Sequence, residues 1–135
     1  MKELTEVRRE IEAINDSMGL PIDQKIKDLV IGLRRWGIET VMSCEGHENG
    51  LKYPWIDVDI GSVEKLVEIL GVWWKKESDC DQPRWLIKSH AGGMVRIIPE
   101  DKRTRSLQEM QEDAKNFGRF LQEIPEGFFK KEETA

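Results

Sequence analysis

Glu39-Thr40-Val41-Met42-Ser43-Cys44-Glu45-Gly46-His47, followed after a short polar loop by Tyr53-Pro54-Trp55-Ile56-Asp57-Val58-Asp59-Ile60, is the stretch whose reading decides the fold. Ile38 to Cys44 has the composition of a strand, and Glu45 to Lys52 is a polar, glycine-containing loop. Tyr53 to Ile60 then alternates, with Ile56, Val58 and Ile60 on one face and Trp55, Asp57 and Asp59 on the other. That period of two belongs to a strand with unlike faces.

Working outward toward the N-terminus, Leu4, Val7, Ile11, Ile14 and Met18 recur at three- and four-residue steps. The spacing predicts a helix over roughly residues 3–17, ended by Gly19 and Pro21. A second helix turns Ile26, Leu29, Val30 and Leu33 inward and stops at Gly37, since glycine accepts the left-handed conformation past a helix end. Toward the C-terminus, Ser62 is placed to cap a third helix carrying Val63, Leu66, Val67, Leu70 and either Trp73 or Trp74. Consecutive helical residues point about 100° apart, so one of those tryptophans is core and the other covers an edge or a partner.

Beyond the polar connector Glu77–Pro83, Arg84–His90 reads as a strand, Ala91-Gly92-Gly93 as a turn and Met94–Ile98 as a strand. Pro99 and the charged run behind it end the sheet. Ser106-Leu107-Gln108-Glu109 is a capping box, opening a helix with Leu107, Met110, Ala114, Phe117 and Leu121 inward. Pro125 and Gly127 break that helix, and the tail from Lys130 to Ala135 is expected to fray. The fold class expected is α+β, in the order α-α-β-β-α-β-β-α. Its four-stranded, mostly antiparallel sheet carries helices on one face, with the first two helices adding a layer. A strand–turn–strand–helix unit used twice would make Ser43-Cys44-Glu45-Gly46 correspond to Ser89-His90-Ala91-Gly92. Cys44 and His90 would then occupy equivalent strand ends and face each other.

The chain has 135 residues, enough for one domain that buries a core without disulfides. Its 39% hydrophobic and 35% charged content is that of a globular protein with a solvated surface. No apolar run reaches the roughly 18–20 residues of a membrane span, and the start is a charged helical pattern, so a cytoplasmic location is expected. Net charge is −5, from 21 basic and 26 acidic side chains. That balance argues against wrapping duplex nucleic acid, whose affinity comes mainly from neutralised phosphates. Lys75, Lys76, Arg84, Lys88, Arg96, Lys102, Arg103 and Arg105 fall in one stretch and could form a local basic patch, although a solvated face is the commoner reading.

Chemistry concentrates at the Ser43–His47 turn. A thiolate and an imidazole three residues apart can reach one metal ion, with His90 as third ligand and Cys80 as a fourth candidate; zinc is the ion such donors favour. The same Cys44 could be a nucleophile activated by His47 or His90 and oriented by Glu45. It could equally be a small buried hydrophobe, with His47 bonded to nearby backbone. Asp57 and Asp59 could bind a cation or hold basic residues of a neighbouring strand, and the latter is commoner. Trp55 and Trp85 could stack on a ligand or pack under helices. The residues expected to line a ligand site are Ser43, Cys44, Glu45, Gly46, His47, Trp55, Asp57, Trp85 and His90. The occupant is a small molecule or a protein partner; the alternatives are a Cys/His-dependent enzyme or zinc protein acting on a nucleotide or RNA base, and a structural domain that dimerises through Trp73 or Trp74.

Ile22-Asp23-Gln24-Lys25-Ile26-Lys27-Asp28-Leu29-Val30, with Glu39 to His47 and Tyr53-Pro54-Trp55-Ile56-Asp57, resembles a group of small bacterial and phage proteins. Those carry a helix, a strand ending in Thr-x-x-Ser-Cys-x-Gly-His, and a strand with Pro-Trp or Pro-Tyr; the group has no established activity. More distantly, Thr40 to His47 and Trp85-Leu86-Ile87-Lys88-Ser89-His90 are similar to motifs of the wybutosine-synthesising tRNA methyltransferase of the third pathway step. There His47 stands in place of an arginine and Met42 in place of a serine. That resemblance implies a shared fold and site location, and does not carry methyl transfer over.

Overall fold

The computed structural model describes residues 2–13, 22–76, 85–90, 92–100 and 102–132. Four helices and four strands follow in the expected order: α1 (Leu4–Ala13), α2 (Gln24–Arg35), β1 (Thr40–Cys44), β2 (Trp55–Asp59), α3 (Val63–Lys76), β3 (Trp85–Ser89), β4 (Met94–Pro99) and α4 (Leu107–Glu123). The sheet order is β1-β2-β4-β3, and every neighbouring pair is antiparallel.

One face of the sheet makes the core. Ile56, Val58, Val95 and Ile97 join Leu66, Ile69 and Trp73 of α3 and Ala114, Phe117 and Leu121 of α4 in one buried cluster. Trp73 is the core tryptophan, lying parallel to Phe117 with ring centroids 5.0 Å apart, while Trp74 is 38% exposed. In the second layer α2 crosses α4 almost backbone to backbone. A Cβ on Gly118 would meet the Asp28 carbonyl carbon at 2.4 Å, and one on Gly32 would meet the Leu121 Cβ at 2.8 Å. Only glycine at both positions lets the helices come this close, which brings the first turn of α2 to the end of β1.

Several local expectations are corrected. Ser62 is no cap: residues Ile60–Ser62 wind as a 3-10 turn opened by Asp59, whose carboxylate accepts from the Gly61 amide at 2.8 Å. The Ser62 hydroxyl instead accepts from the Glu39 amide at 3.0 Å. Along α3, Leu66, Ile69 and Trp73 are buried and Val63 and Leu70 pack against the core, while Val67, expected inward, is exposed. In β1 the register slips between Thr40 and Met42, so Val41 and Met42 are both exposed along this edge strand. After Pro125 the chain forms 3-10 turns over Glu126–Glu132 that seat Phe129 edge-on against Trp36 at 4.8 Å; residues 133–135 of the tail expected to fray lie outside the described residues. Ile14, Met18, Cys80 and Ala91, and the connector after Lys76, lie outside the described residues. The capping box at Ser106 forms as read, with the Glu109 amide donating to the Ser106 hydroxyl at 3.0 Å and the Glu109 carboxylate accepting from the Ser106 amide at 3.2 Å.

The two hairpins meet through their second strands, β2 and β4, which suits a twice-used unit. The same order puts the first strands, β1 and β3, at opposite edges. Cys44 pairs with Trp55 at one end of β2, whereas Ser89 pairs with Val95, which in turn pairs with Val58 near the other end. The strand ends carrying Cys44 and His90 are thus equivalent but do not adjoin.

Candidate functional site

The turn after β1 is fixed from three sides. Gly46 has φ +89°, and a Cβ there would lie 2.8 Å from the Tyr53 carbonyl carbon and 2.6 Å from Leu107 Cδ1. Glycine is therefore required both for the backbone conformation and for the space. The Gln111 side-chain amide of α4 donates to the Glu45 carbonyl at 2.9 Å, and the His47 amide donates to the Leu51 carbonyl at 2.9 Å. The third clamp is an exchange with α2. Asp23 stands at the N-cap of that helix yet makes no capping bond. Its carboxylate accepts from the Glu45 amide at 3.1 Å, and the Glu45 carboxylate accepts from the Lys25 amide at 3.2 Å. Glu45 thereby satisfies a free amide of the first helical turn, and Asp23 is turned toward Cys44.

Burial pushes the Cys44 thiol above the ordinary range, with the Asp23 and Glu45 carboxylates adding to the effect and the Gly46 amide, 3.4 Å from Sγ, opposing it. A thiol kept protonated is a poor nucleophile at neutral pH, so the arrangement does not resemble an activated cysteine, and Glu45 caps a helix instead of orienting the thiol. What does converge is a donor set: one ligand atom each from Asp23, Cys44 and His47 lies within 4.8 Å of the others. His90 is not in that set.

The second group lies on the face of the sheet away from the core. By register Met42, Cys44, Trp55, Asp57, Lys88 and Arg96 share it. Asp57 is only 1% exposed. Arg96, its cross-strand neighbour, closes over it with Nε and Nη2 donating to the two carboxylate oxygens at 2.6 and 3.0 Å. The guanidinium carbon also sits 3.9 Å from the centre of the Trp55 ring. His90 reaches in from the β3 edge, its Nε2 3.2 Å from Arg96 Nη2 and 3.6 Å from the Asp57 carboxylate. The paired carboxylate strengthens the hold of Arg96 on its proton, and its charge also senses Tyr53 and Cys44. Arg96 therefore links the Cys44 end of the face to His90. The Lys102 ammonium lies 4.9 Å from the Tyr53 ring centre.

Of the expected residues, Cys44, His47, Trp55, Asp57 and His90 fall into these two groups. Glu45 and Gly46 shape the turn. Ser43, paired with Ile56, is directed to the helix-covered side. Trp85 belongs to the core: its indole N–H donates to Asp113 at 3.0 Å and it is 5% exposed. Asp59 is spent on its 3-10 turn. Asp23 and Arg96 were not among the expected residues. Arg96 could have been found by laying β4 antiparallel to β2, which sets it opposite Asp57; Asp23 reads only as a helix cap. A cleft of about 300 Å³ beside Lys2, Arg34 and Gly37–Thr40 lies elsewhere, and its cations are already engaged, Lys2 with Glu10 and Arg34 with the hydroxyl and carbonyl of Thr40.

No family model, no curated protein and no solved structure matches the chain. Among the described residues no helix is long and apolar enough to cross a membrane.

Proposed function

We propose that this domain binds a small anionic molecule on the uncovered face of its sheet, between the Cys44 turn and His90. The observation that carries the reading is the fixing of Arg96 from two sides, by both oxygens of Asp57 and by the Trp55 ring. A buried ion pair adds little to stability compared with apolar residues of similar size. An arginine held in one orientation does serve recognition, because its planar fork is set before the ligand arrives and less side-chain freedom is lost on binding. Lys88, cross-strand from Arg96, adds exposed positive charge. Trp55 supplies a flat apolar wall. Together these suit a carboxylate or phosphate attached to a planar group.

The test is a titration of the isotope-labelled protein with inorganic phosphate, a dicarboxylate and a mononucleotide at constant ionic strength. Saturable shifts of the Trp55 indole and Arg96 Nε signals are expected for at least one of them, and Trp55→Ala abolishes the shift at Arg96 Nε. Shifts spread evenly over the surface, or none at all, overturn the reading.

A further inference from the structure

We infer that Asp23, Cys44 and His47 form a binding site for one divalent transition-metal ion of the zinc class. The inference does not rest on anion binding at Arg96. Three chain segments deliver the donors: the N-cap of α2, the last residue of β1 and the turn behind it. A thiolate, an imidazole and a carboxylate form the mixed S, N, O set that zinc accepts and that magnesium and calcium, with their preference for all-oxygen shells, do not.

The surroundings fit this use. The Asp23 carboxylate is released from capping α2 because Glu45 bonds the Lys25 amide from outside. The Glu45 amide then holds the Asp23 carboxylate by one oxygen, the kind of outer hydrogen bond that orients a ligating carboxylate. Gly46 folds the chain back so that His47 and Cys44 converge, and the clash a Cβ would make with the Tyr53 carbonyl reserves this position for glycine. Zinc bonds of roughly 2.0–2.3 Å put tetrahedral donors about 3.3–3.8 Å apart. Closing from the present spread of up to 4.8 Å needs a movement of about 1 Å. Exposed His47 can make it without disturbing the core.

On binding, the Cys44 thiol loses its proton to solvent and the sulfur lone pair goes to the metal, with a His47 ring nitrogen and an Asp23 carboxylate oxygen completing the protein donors. Three protein ligands leave the fourth position to water or to a ligand. His90, at the far edge of the sheet, takes no part.

The test uses the full chain, stripped with EDTA and titrated with cobalt(II), then zinc(II). One equivalent of cobalt is expected to give a thiolate-to-metal charge-transfer band that zinc bleaches, with one proton released per ion. Cys44→Ser removes the band, His47→Ala and Asp23→Asn weaken binding at least tenfold, and His90→Ala and Cys80→Ser leave it unchanged. Circular dichroism of each variant separates loss of the site from loss of the fold, and His47→Ala, at an exposed position, remains decisive if Asp23→Asn does not fold. A band that follows Cys80 overturns the inference, as does one indifferent to both His47 and Asp23, or no band at all. Anion titrations of the stripped protein are unaffected by any of these outcomes.

Discussion

On its helix-covered face the sheet presents Ile56, Val58, Val95 and Ile97 to α3 and α4, and the carboxylate buried there, Asp113, receives the indole N–H of Trp85. On its open face the buried carboxylate is Asp57, and what lies over it is a guanidinium. In the first case a polar group completes the packing of a large aromatic residue. In the second, two charges occupy cross-strand positions where a pair of apolar residues would pack as well. The faces differ in purpose: one is organised by volume, the other by charge and direction.

The largest effect expected from breaking this contrast lies on the packed side. Gly118→Ala drives a Cβ into the backbone of Asp28 and Leu29 and should cost about 3 kcal/mol in urea denaturation, the upper range for overpacking. Gly71→Ala in α3, where a Cβ meets nothing within 4 Å, should instead stabilise by up to about 1 kcal/mol through helix propensity. Equal effects at the two glycines would mean that α2 and α4 do not cross so closely.

Next comes Asp57→Ala, which strands Arg96 beneath Trp55. Removing one partner of a buried pair costs about 3–5 kcal/mol; Arg96 keeps some access to solvent, at 18% side-chain exposure, so about 2–3 kcal/mol is expected. Trp55→Ala should be milder. Truncating a core tryptophan costs about 3–5 kcal/mol, and this partly buried one should cost about 1–2 kcal/mol while abolishing the anion-induced shift at Arg96.

The smallest effect is a pH dependence from Cys44. Its raised thiol pKa means that the folded chain binds the proton more tightly than the unfolded one. The associated stability is fully present below the ordinary thiol value of roughly 8.5 and is lost as pH rises through the folded value. The difference in stability between the wild type and Cys44→Ser should therefore shrink above that pH in metal-free buffer. A wild-type advantage that grew with pH would mean that the folded state favours the thiolate.

Much of the architecture was legible in the sequence. The strand alternation at Trp55–Asp59, the capping box at Ser106 and the helical stripe of α2 each follow from local periodicity, and local periodicity is what survives into the fold. On α3 the start at Val63, Leu66 and Trp73 were read correctly and only Val67 was misjudged: it lies about 100° round the helix from its neighbour Leu66, on the side that the core does not reach. The site was half legible. Cys44, His47, Trp55 and Asp57 announce themselves by type and position. Asp23 and Arg96 do not, because the role of each is set by a residue distant in the chain, Glu45 for one and Asp57 for the other. Pairing Cys44 with His90 failed for the same reason: their equivalence is local, while their separation comes from the order of strands.

The most direct test of the open face as a recognition surface is a double-mutant cycle on Asp57→Leu and Arg96→Met, read for both stability and anion binding. If the pair exists for recognition, the double variant should lie within about 1 kcal/mol of the wild type in stability and no longer bind the anion that shifts Trp55. A double variant destabilised by the full sum of the single effects, or one that still binds that anion, would contradict the assignment.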